Sequence, residues 1–388
     1  MMLVIKKGCM KKNGLFLCCE NYNFDDVNIL CIGIAKKIIS QIRALNTDLT
    51  NCNLVNLHTT IKNPFIRLIY IFFARKVYIK KMERFDFRLI DFVYIRRFLP
   101  LSIGFICMLK HIKTLNQNCK IMYEIPTYPY DGEHKGFKGS IFLSIDKIFR
   151  RKLKHYVDYI VTYSRDDTIF DVKTIKIING IDCGSVHPIE TQEYHQSIRL
   201  IAVAQFGLWH GYDRLIEGLY EYYKTNPIRK VYLDLIGDGD KKVLKDYLQK
   251  ILQYKLQEYI TYHGLLFGED LTRVFNTTDI AVCSLANYRC FVFLSSELKS
   301  REYMARGLPM LASTKIDVLP DNYPYIQYIP ENDSPVNINT VIMFYDRLVQ
   351  QEDRNTQISN IRRFAEMYFD IHITMQPVID SILNGSRV

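Results

Sequence analysis

Apolar and polar positions fall into blocks whose lengths suit strands and helices in turn. Leu15-Phe16-Leu17-Cys18-Cys19 is a short apolar run that predicts a buried strand. A polar loop from Glu20 to Asn28 follows, and Gly33-Ile34-Ala35 opens a helical pattern through Leu45. The stretches Asn63 to Lys81 and Arg96 to Lys113 mix Ile, Leu, Phe and Tyr with Lys and Arg at helical spacing, and predict helices with one core-facing side. Lys120 to Ile125 predicts a strand that ends at Pro126-Thr127-Tyr128-Pro129-Tyr130, where two prolines impose an extended loop. Tyr156 to Tyr163 and Thr174 to Ile178 predict further strands, and Asn179-Gly180 a turn.

The chain turns polar and aperiodic from Ser185 to Ser197, which reads as a linker. The alternation then restarts with strand Arg199 to Ala204, loop Gln205 to Tyr212 and helix Asp213 to Lys224. Strand Lys230 to Ile236 runs through Gly237-Asp238-Gly239-Asp240 into a helix from Lys241. Strand Ile260 to Tyr262, helix Gly268 to Phe275, strand Ile280 to Cys283, helix Leu298 to Arg306 and strand Pro309 to Ala312 complete the series. Helical periodicity returns from Ile358 to Leu383. Strands alternating with helices in both halves predict an α/β protein of two doubly wound, Rossmann-like parallel-sheet domains facing across a cleft. We expect domains over 1–190 and 191–370, with 371–388 a helix crossing back to the first.

Composition narrows the class. A chain of 388 residues, 48% apolar and 24% charged, is globular and too long for one core. No segment reaches the roughly 18 apolar residues of a membrane span. The longest uncharged apolar stretch, Phe98 to Leu109, has the length of a core helix and contains Pro100. The first residues lack the layout of a signal peptide, so a cytoplasmic location is expected. The ten cysteines show no Cys-x-x-Cys spacing and the nine histidines no cluster, so reduced core thiols are expected rather than a metal site.

The charge is uneven. Residues 1–200 hold 31 Lys and Arg against 18 Asp and Glu, whereas residues 201–388 hold 20 against 23. The basic first half implies an acidic partner there: nucleic acid, an anionic membrane surface or a phosphorylated substrate.

In doubly wound sheets ligands bind beyond the carboxyl ends of the strands, so the loops there are where chemistry is expected. Five stand out: Glu20 to Gly33, whose terminal glycine permits close backbone approach; Glu124 with its Pro-Thr-Tyr-Pro-Tyr continuation; Phe206 to Tyr212 with Trp209 and His210; Gly237 to Asp240; and Leu285 to Ser300. Gly237-Asp238-Gly239 lacks the third glycine of a dinucleotide fingerprint, and no Walker motif occurs. Asp238 and Asp240 fit either a divalent cation or a plain turn, and their strand-glycine-helix setting favours the turn. The fifth loop is the sharpest feature. Ser295, Ser296 and Glu297 precede a helix start whose unpaired N–H groups suit a phosphate, Lys299 adds a full charge in its first turn, and Glu302 can accept two hydroxyl hydrogen bonds, as from a ribose. A capped surface helix with solvated Lys and Glu fits the same residues.

Glu302-Tyr303-Met304-Ala305-Arg306-Gly307-Leu308-Pro309 resembles the E-A-M-A-x-G-x-P segment of retaining glycosyltransferases of the GT-B fold, family 4 type. Asn179-Gly180-Ile181-Asp182 resembles that family's N-G-V-D, Gly211-Tyr212-Asp213 opens a helix as in its G-R-L-x-x-x-K-G-x-D unit, and Gly237-Asp238-Gly239 and His263-Gly264 follow in order. The wording around Glu124, Trp209-His210 and Lys299 to Tyr303 is similar to bacterial enzymes of capsular and lipopolysaccharide assembly. The resemblance implies transfer of a sugar from a nucleotide sugar, UDP- or GDP-linked, without metal or other cofactor. It implies that Glu302 bonds the ribose, that Tyr262, His263 and Gly264 face the base, and that Ser295, Ser296 and Glu297 receive the diphosphate. Gly237 and Arg301 belong to the same donor site, Gly33 lies near the phosphates, and Glu124 stands beside the reacting sugar.

The family's diphosphate-clamping Arg and Lys fall on Gln205 and His210, and its first glutamate on Leu294. Lys299, with Arg301 and His210, is expected to supply the missing charge. The resemblance further implies a saccharide acceptor of the kind often carried on a polyprenyl diphosphate. A basic face with Arg67, Arg75, Lys76, Lys80 and Lys81 suits a peripheral position on the inner face of an anionic membrane, and equally a solvated surface. Nucleic acid is not expected, as no binding module appears. Two alternatives remain: a non-catalytic nucleotide-sugar-binding partner subunit, and a sugar-nucleotide epimerase of the same shape.

Overall fold

A computed structural model describes residues 11–24, 33–58, 75–97, 101–131, 136–190, 194 and 196–384. The chain forms two α/β units, one of residues up to Ile178 together with those from Thr374 onward, the other Asn179–Ile373.

The first unit holds strands β1 (Lys12–Cys18), β2 (Thr50–Asn56), β3 (Phe92–Arg96), β4 (Lys120–Ile125), β5 (Tyr159–Thr162), β6 (Thr168–Ile169) and β7 (Val172–Lys176). They pair in the order β2-β1-β3-β4-β5-β7-β6, all parallel except the short β6 against β7. Helices α1 (Gly33–Ala44), α2 (Arg75–Met82), α3 (Ile103–Leu115) and α4 (Gly136–Arg150) connect them. Order reverses beside β1, so the switch point of this sheet lies at the carboxyl ends of β1 and β3.

Two expectations change here. Arg96 closes β3 instead of opening a helix; α3 starts only at Ile103, where the Ser102 hydroxyl accepts the Phe105 N–H at 3.3 Å. All five β3 side chains are buried, and a strand covered on both faces has no alternation to betray it. The expected helix from Asn63 lies largely outside the described residues; its described part is α2. Strand β2 went unseen because it is a polar edge strand with few inward apolar groups.

The second unit holds β8 (Ile198–Phe206), β9 (Val231–Gly239), β10 (Ile260–Gly264), β11 (Ile280–Val282), β12 (Met310–Ala312) and β13 (Ile326–Tyr328). They form one parallel sheet in the order β10-β9-β8-β11-β12-β13. Helices α5 (Tyr212–Tyr223), α6 (Lys241–Gln253), α7 (Gly268–Asn276), α8 (Leu298–Ala305), α9 (Ile338–Gln351) and α10 (Arg354–Tyr368) cover it. Leu215, Ile216 and Leu219 of α5 are fully buried, each worth about 1.5–3 kcal/mol. The switch point falls between β8 and β11. Helices α11 (Ile371–Thr374) and α12 (Gln376–Leu383) end the described chain. Helix α12 belongs to the first unit: Lys120 donates to the Ile382 carbonyl at 3.3 Å and to those of Ser381 and Asn384.

No disulfide forms among the described cysteines, and no described helix is long and apolar enough to cross a membrane.

Candidate functional site

At the switch point of the second sheet, the loops after β8 and β11 are tied together. Leu285 N–H donates to the His210 carbonyl at 2.8 Å and Ala286 N–H to the Trp209 carbonyl at 3.1 Å. Gly211 between loop and helix has φ 62°, and a Cβ there would sit 2.7 Å from the Ala286 Cβ, so only glycine fits. Arg214, buried one turn into α5, fixes the surrounding loops by donating to the carbonyls of Ser334 (2.8 Å), Pro330 (2.9 Å) and Leu285.

His210 is buried, and its Nδ1 accepts the Gly207 N–H at 2.9 Å, which leaves the proton on Nε2. Burial, reinforced by the Lys299 charge, pushes the imidazole down to about 2, so it stays neutral at ordinary pH. Its ring stacks on Tyr212 at 5.5 Å. The Tyr212 hydroxyl in turn accepts from Lys299 Nζ at 3.2 Å. Lys299 Nζ lies 3.8 Å from Glu297 Oε2. Burial lowers the ammonium below its ordinary value, and Glu297 opposes that shift.

Glu297 stands at the N-cap of α8, yet its carboxylate is turned away from the helix. It accepts the Ser284 N–H at 3.1 Å and the Ser284 hydroxyl at 2.7 Å, binding the loop after β11. No side chain caps the first turn of α8, whose N–H groups sit beside Lys299. Lys299, the proton on His210 Nε2 and this helix end together make an environment for an anion. Tyr212 and Ser284, which organise it, were not singled out as site residues by the sequence reading; the switch-point rule applied to the strand order would have found both.

The other expected donor residues occupy the same unit with different jobs. Glu302 receives Arg306 Nη2 at 3.2 Å, one turn along α8. Ser295 uses its backbone to pair with Lys315 and Asp317. The Ser296 carbonyl accepts from Asn179 Nδ2 at 2.7 Å. Arg301 is fully buried with its guanidinium 4.1 Å from the Phe369 ring centroid, and it donates to Asp317, the Asn179 carbonyl (3.3 Å) and the Ser300 hydroxyl (3.1 Å). Its charge is committed inside the protein, so it braces α8 and offers little to a ligand. Gly237 is required by packing: a Cβ would lie 1.8 Å from the Ala204 carbonyl oxygen. Tyr262 donates to the Gly237 carbonyl at 3.1 Å, His263 Nε2 meets Asp234 at 2.6 Å, and Gly264 (φ 69°) has open space around it. The Phe206 ring lies 6.0 Å from Tyr212 and 6.3 Å from Tyr262, linking the end of β10 to the Lys299 group. Asp240 spends its carboxylate capping α6, accepting from Lys242 and Val243 N–H, as the turn reading expected.

In the first unit Glu124 ends β4 fully buried. Oε2 accepts from the Tyr94 hydroxyl (2.9 Å) and Gln41 (3.1 Å); Oε1 accepts from the Tyr163 hydroxyl (3.0 Å) and Arg96 (3.2 Å). Lys37 Nζ lies 3.7 Å away. Burial alone would raise this carboxyl, but Arg96, Lys37 and the Tyr94 and Gln41 hydrogen bonds outweigh it and hold Glu124 below its ordinary value. Lys37 goes down to about 8, because burial exceeds what Glu124 returns. With four donors on two oxygens, Glu124 anchors the sheet end in this conformation and presents no open face to a sugar. Gly33 opens α1, exposed, with no atom of the described residues beyond its chain neighbours within 4 Å of where a Cβ would be. Of the expected basic face, Arg67 lies outside the described residues and the Arg75 side chain is likewise not described. Lys76 and Lys80 are exposed on α2, whereas Lys81 turns inward to the Asn56 and His58 carbonyls.

Residues 197–328, which carry β8 to β13 with α8, match the family described as Glycosyl transferases group 1. No curated protein matches the sequence. Solved structures are similar over nearly the whole chain. Anabaena HepE (Alr3699), solved with UDP-glucose, is 14% identical with a TM-score of 0.58, covering 95% of this chain and 99% of that one. A glycosyltransferase from Rickettsia africae ESF-5 is 14% identical with a TM-score of 0.62, covering 97% and 100%. The sucrose-phosphate synthase tll1590 of Thermosynechococcus elongatus is 12% identical with a TM-score of 0.60, covering 96% and 99%. The two Rossmann-like units thus have the expected GT-B fold, and residues 197–328 of the second are similar to the group 1 glycosyl transferase family.

Proposed function

We propose that this protein is a retaining glycosyltransferase of the family 4 type, which takes a hexose from a UDP-linked donor and passes it to a saccharide acceptor. The observation that carries this is the Glu297–Lys299–Tyr212–His210 assembly beside the uncapped start of α8, at the switch point of the group 1 domain. In the reaction the bond from the sugar C1 to the β-phosphate oxygen breaks with its electron pair going to UDP, a bond from the acceptor hydroxyl oxygen to C1 forms, and the hydroxyl proton passes to the departing diphosphate. The diphosphate gains charge as it leaves. Lys299 and the α8 N–H groups stabilise that charge in a partly water-excluded setting, where a fixed cation is worth several kcal/mol. His210, neutral and holding its proton on Nε2, donates a hydrogen bond without adding a charge. Glu302 takes the ribose hydroxyls, and the backbone at Tyr262 to Gly264 faces the base. HepE, whose fold this chain shares, was solved with UDP-glucose, which favours UDP over GDP. A metal is not needed in this scheme because Lys299 supplies the charge.

The acceptor we propose is a growing surface polysaccharide, carried on a polyprenyl diphosphate at the inner face of the cytoplasmic membrane. Lys76 and Lys80, exposed on α2, are the described groups suited to such a surface. A second reading, a non-catalytic nucleotide-sugar-binding subunit, is favoured by two facts: Gln205 and His210 stand where the clamp cations are expected, and Arg301 is committed internally.

Calorimetric titration with UDP, GDP, ADP and CMP in the presence of chelator, repeated on Glu302→Ala, tests the reading. Selective UDP binding lost in the variant supports it. Turnover of UDP-sugars with and without oligosaccharide then separates the roles. Release of UDP without transfer points to an epimerase-like reaction, and binding without any turnover points to the subunit. Absence of nucleotide binding overturns the proposal.

A further inference from the structure

A second concavity lies at the opposite end of the second unit's sheet. Arg199 at the start of β8, Lys230 and Tyr232 at the start of β9, Arg229 in the preceding turn, Asp346 on α9 and Tyr194 line an open groove of about 990 Å³. Strand β8 runs nine residues from this end to the switch point, so roughly 25 Å of strand separates the groove from Lys299.

Three cations face one carboxylate here. Arg229 is paired with Asp346 and lies 5.1 Å from the Tyr345 ring centroid. Arg199 and Lys230 make no ion pair with any described residue. Arg199 rests over Tyr232 at 5.0 Å, and the Lys230 ammonium donates to the Pro227 carbonyl at 3.2 Å. Among the described residues the groove therefore carries two surplus positive charges, Arg199 beside the half-buried Tyr232 ring and Lys230 with its ammonium 5.6 Å from the Tyr223 and Tyr259 ring centroids. A guanidinium held beside an aromatic ring still has N–H groups to offer an oxyanion. The volume is at the upper end of small-ligand sites and exceeds what one sugar ring fills. Aromatic walls interleaved with hydrogen-bonding side chains suit pyranose rings, which present C–H faces and hydroxyl edges, better than they suit a bare ion.

We propose that this groove binds an anionic saccharide, its carboxylate or phosphate held by Arg199 and Lys230 and its ring packed against Tyr232 and Tyr194. The identity of the ligand as saccharide rests on the glycosyltransferase reading; the anion preference rests on the charges alone. Bound there, an acidic glycan is retained by the protein at a distance from the reacting sugar, which raises its effective concentration for the next transfer.

The test is titration of the full chain with tetragalacturonate, glucose 6-phosphate, maltotetraose and inorganic phosphate, each with and without saturating UDP. The Arg199→Gln/Lys230→Gln double variant is run in parallel, with UDP binding as its fold check. Expected is binding of tetragalacturonate, or of glucose 6-phosphate if the natural acid is a phosphate, that is unaffected by UDP and at least ~10-fold weaker in the double variant. Maltotetraose should bind far more weakly. Four results overturn the proposal: equal binding of maltotetraose, inorganic phosphate as tight as the saccharides, competition with UDP, or no saccharide binding by a sample that binds UDP. A sample that binds tetragalacturonate through these cations but no nucleotide would leave the groove assignment standing while the donor-site reading fails.

Discussion

Removal of the Glu124 carboxylate tests whether that residue anchors the sheet end or acts in catalysis. Glu124→Ala strips partners from Tyr94, Tyr163 and Gln41, and leaves Arg96 and Lys37 buried together, with Glu20 at 3.7 Å as the remaining counter-charge to Arg96. Lys37 limits its own share of the loss. Its value is already down at about 8, so at pH 7 it escapes by releasing its proton at an added cost of about 1.4 kcal/mol. Arg96 has no such escape, and three buried donors each lose about 1 kcal/mol. The sum agrees with the ~3–5 kcal/mol seen when one partner of a buried ion pair is deleted. For a unit of this size that lowers the first unit's melting transition by on the order of 10 °C. Scanning calorimetry reads it directly, with Glu124→Gln as the companion variant, expected to lose less because the amide keeps two of the contacts. A shift below about 1 kcal/mol would refute the anchoring argument. So would loss of transfer by Glu124→Gln at unchanged stability, which would instead make Glu124 a catalytic carboxylate.

Lys37 also predicts a pH dependence. Its folded value is about 8 against an ordinary 10.5, so between these limits the unfolded chain binds the extra proton and stability rises with pH. The gain from Lys37 is up to about 3 kcal/mol, opposed from about pH 9 by buried thiols such as Cys52 and Cys119 and above about pH 10 by tyrosines such as Tyr94 and Tyr163, all of which hold protons that the unfolded chain releases. Urea unfolding across pH 7.5 to 10 should show wild-type stability gaining on that of Lys37→Met as pH rises, since the thiol and tyrosine contributions are common to both and cancel in the difference. Lys299→Met should lower UDP-sugar turnover by at least ~100-fold with the melting transition nearly intact, because the leaving diphosphate then lacks its cation; undiminished turnover sinks the role given to Lys299. Gly237→Ala should cost several kcal/mol in chemical denaturation of the second unit, since its Cβ falls 1.8 Å from the Ala204 carbonyl oxygen.

Much of the second unit was legible because its elements obey one rule at a time. Strand β9 is apolar up to Gly237 but for Asp234, Asp240 caps the following helix, and Gly307 stops α8 at φ 81°. In the first unit the same rules compete. Strand β3 reads Phe-Val-Tyr-Ile-Arg, apolar on both faces, and joins a region dense in Lys and aromatic residues that also fits a helix. Only its partners β1 and β4 decide the matter, and pairing with residues 78 and 28 positions away leaves no local mark. Strand β13 was missed for a related reason: three residues at a sheet edge are too short to carry a period.

The candidate site shows the same division between residue type and residue use. Sequence places Glu297, Lys299, Arg301 and Glu302 on one short segment and cannot say which charges are already spent. The structure divides them by what lies behind each side chain. Arg301 points into the protein, where Asp317 and Phe369 consume it, and Glu297 reaches across to Ser284. Lys299, in the same helix turn, meets among the described residues a phenol at 3.2 Å and a carboxylate at 3.8 Å, so its charge is less compensated than that of Arg301. The neutral His210 then makes physical sense beside it. A second cation stacked on Tyr212 would repel Lys299 and would itself have to be kept charged against burial, whereas a neutral imidazole held by the Gly207 N–H contributes a fixed donor with no charge to desolvate. One buried ammonium with oriented neutral donors, rather than a pair of clamping cations, is the electrostatic solution this chain adopts at its switch point.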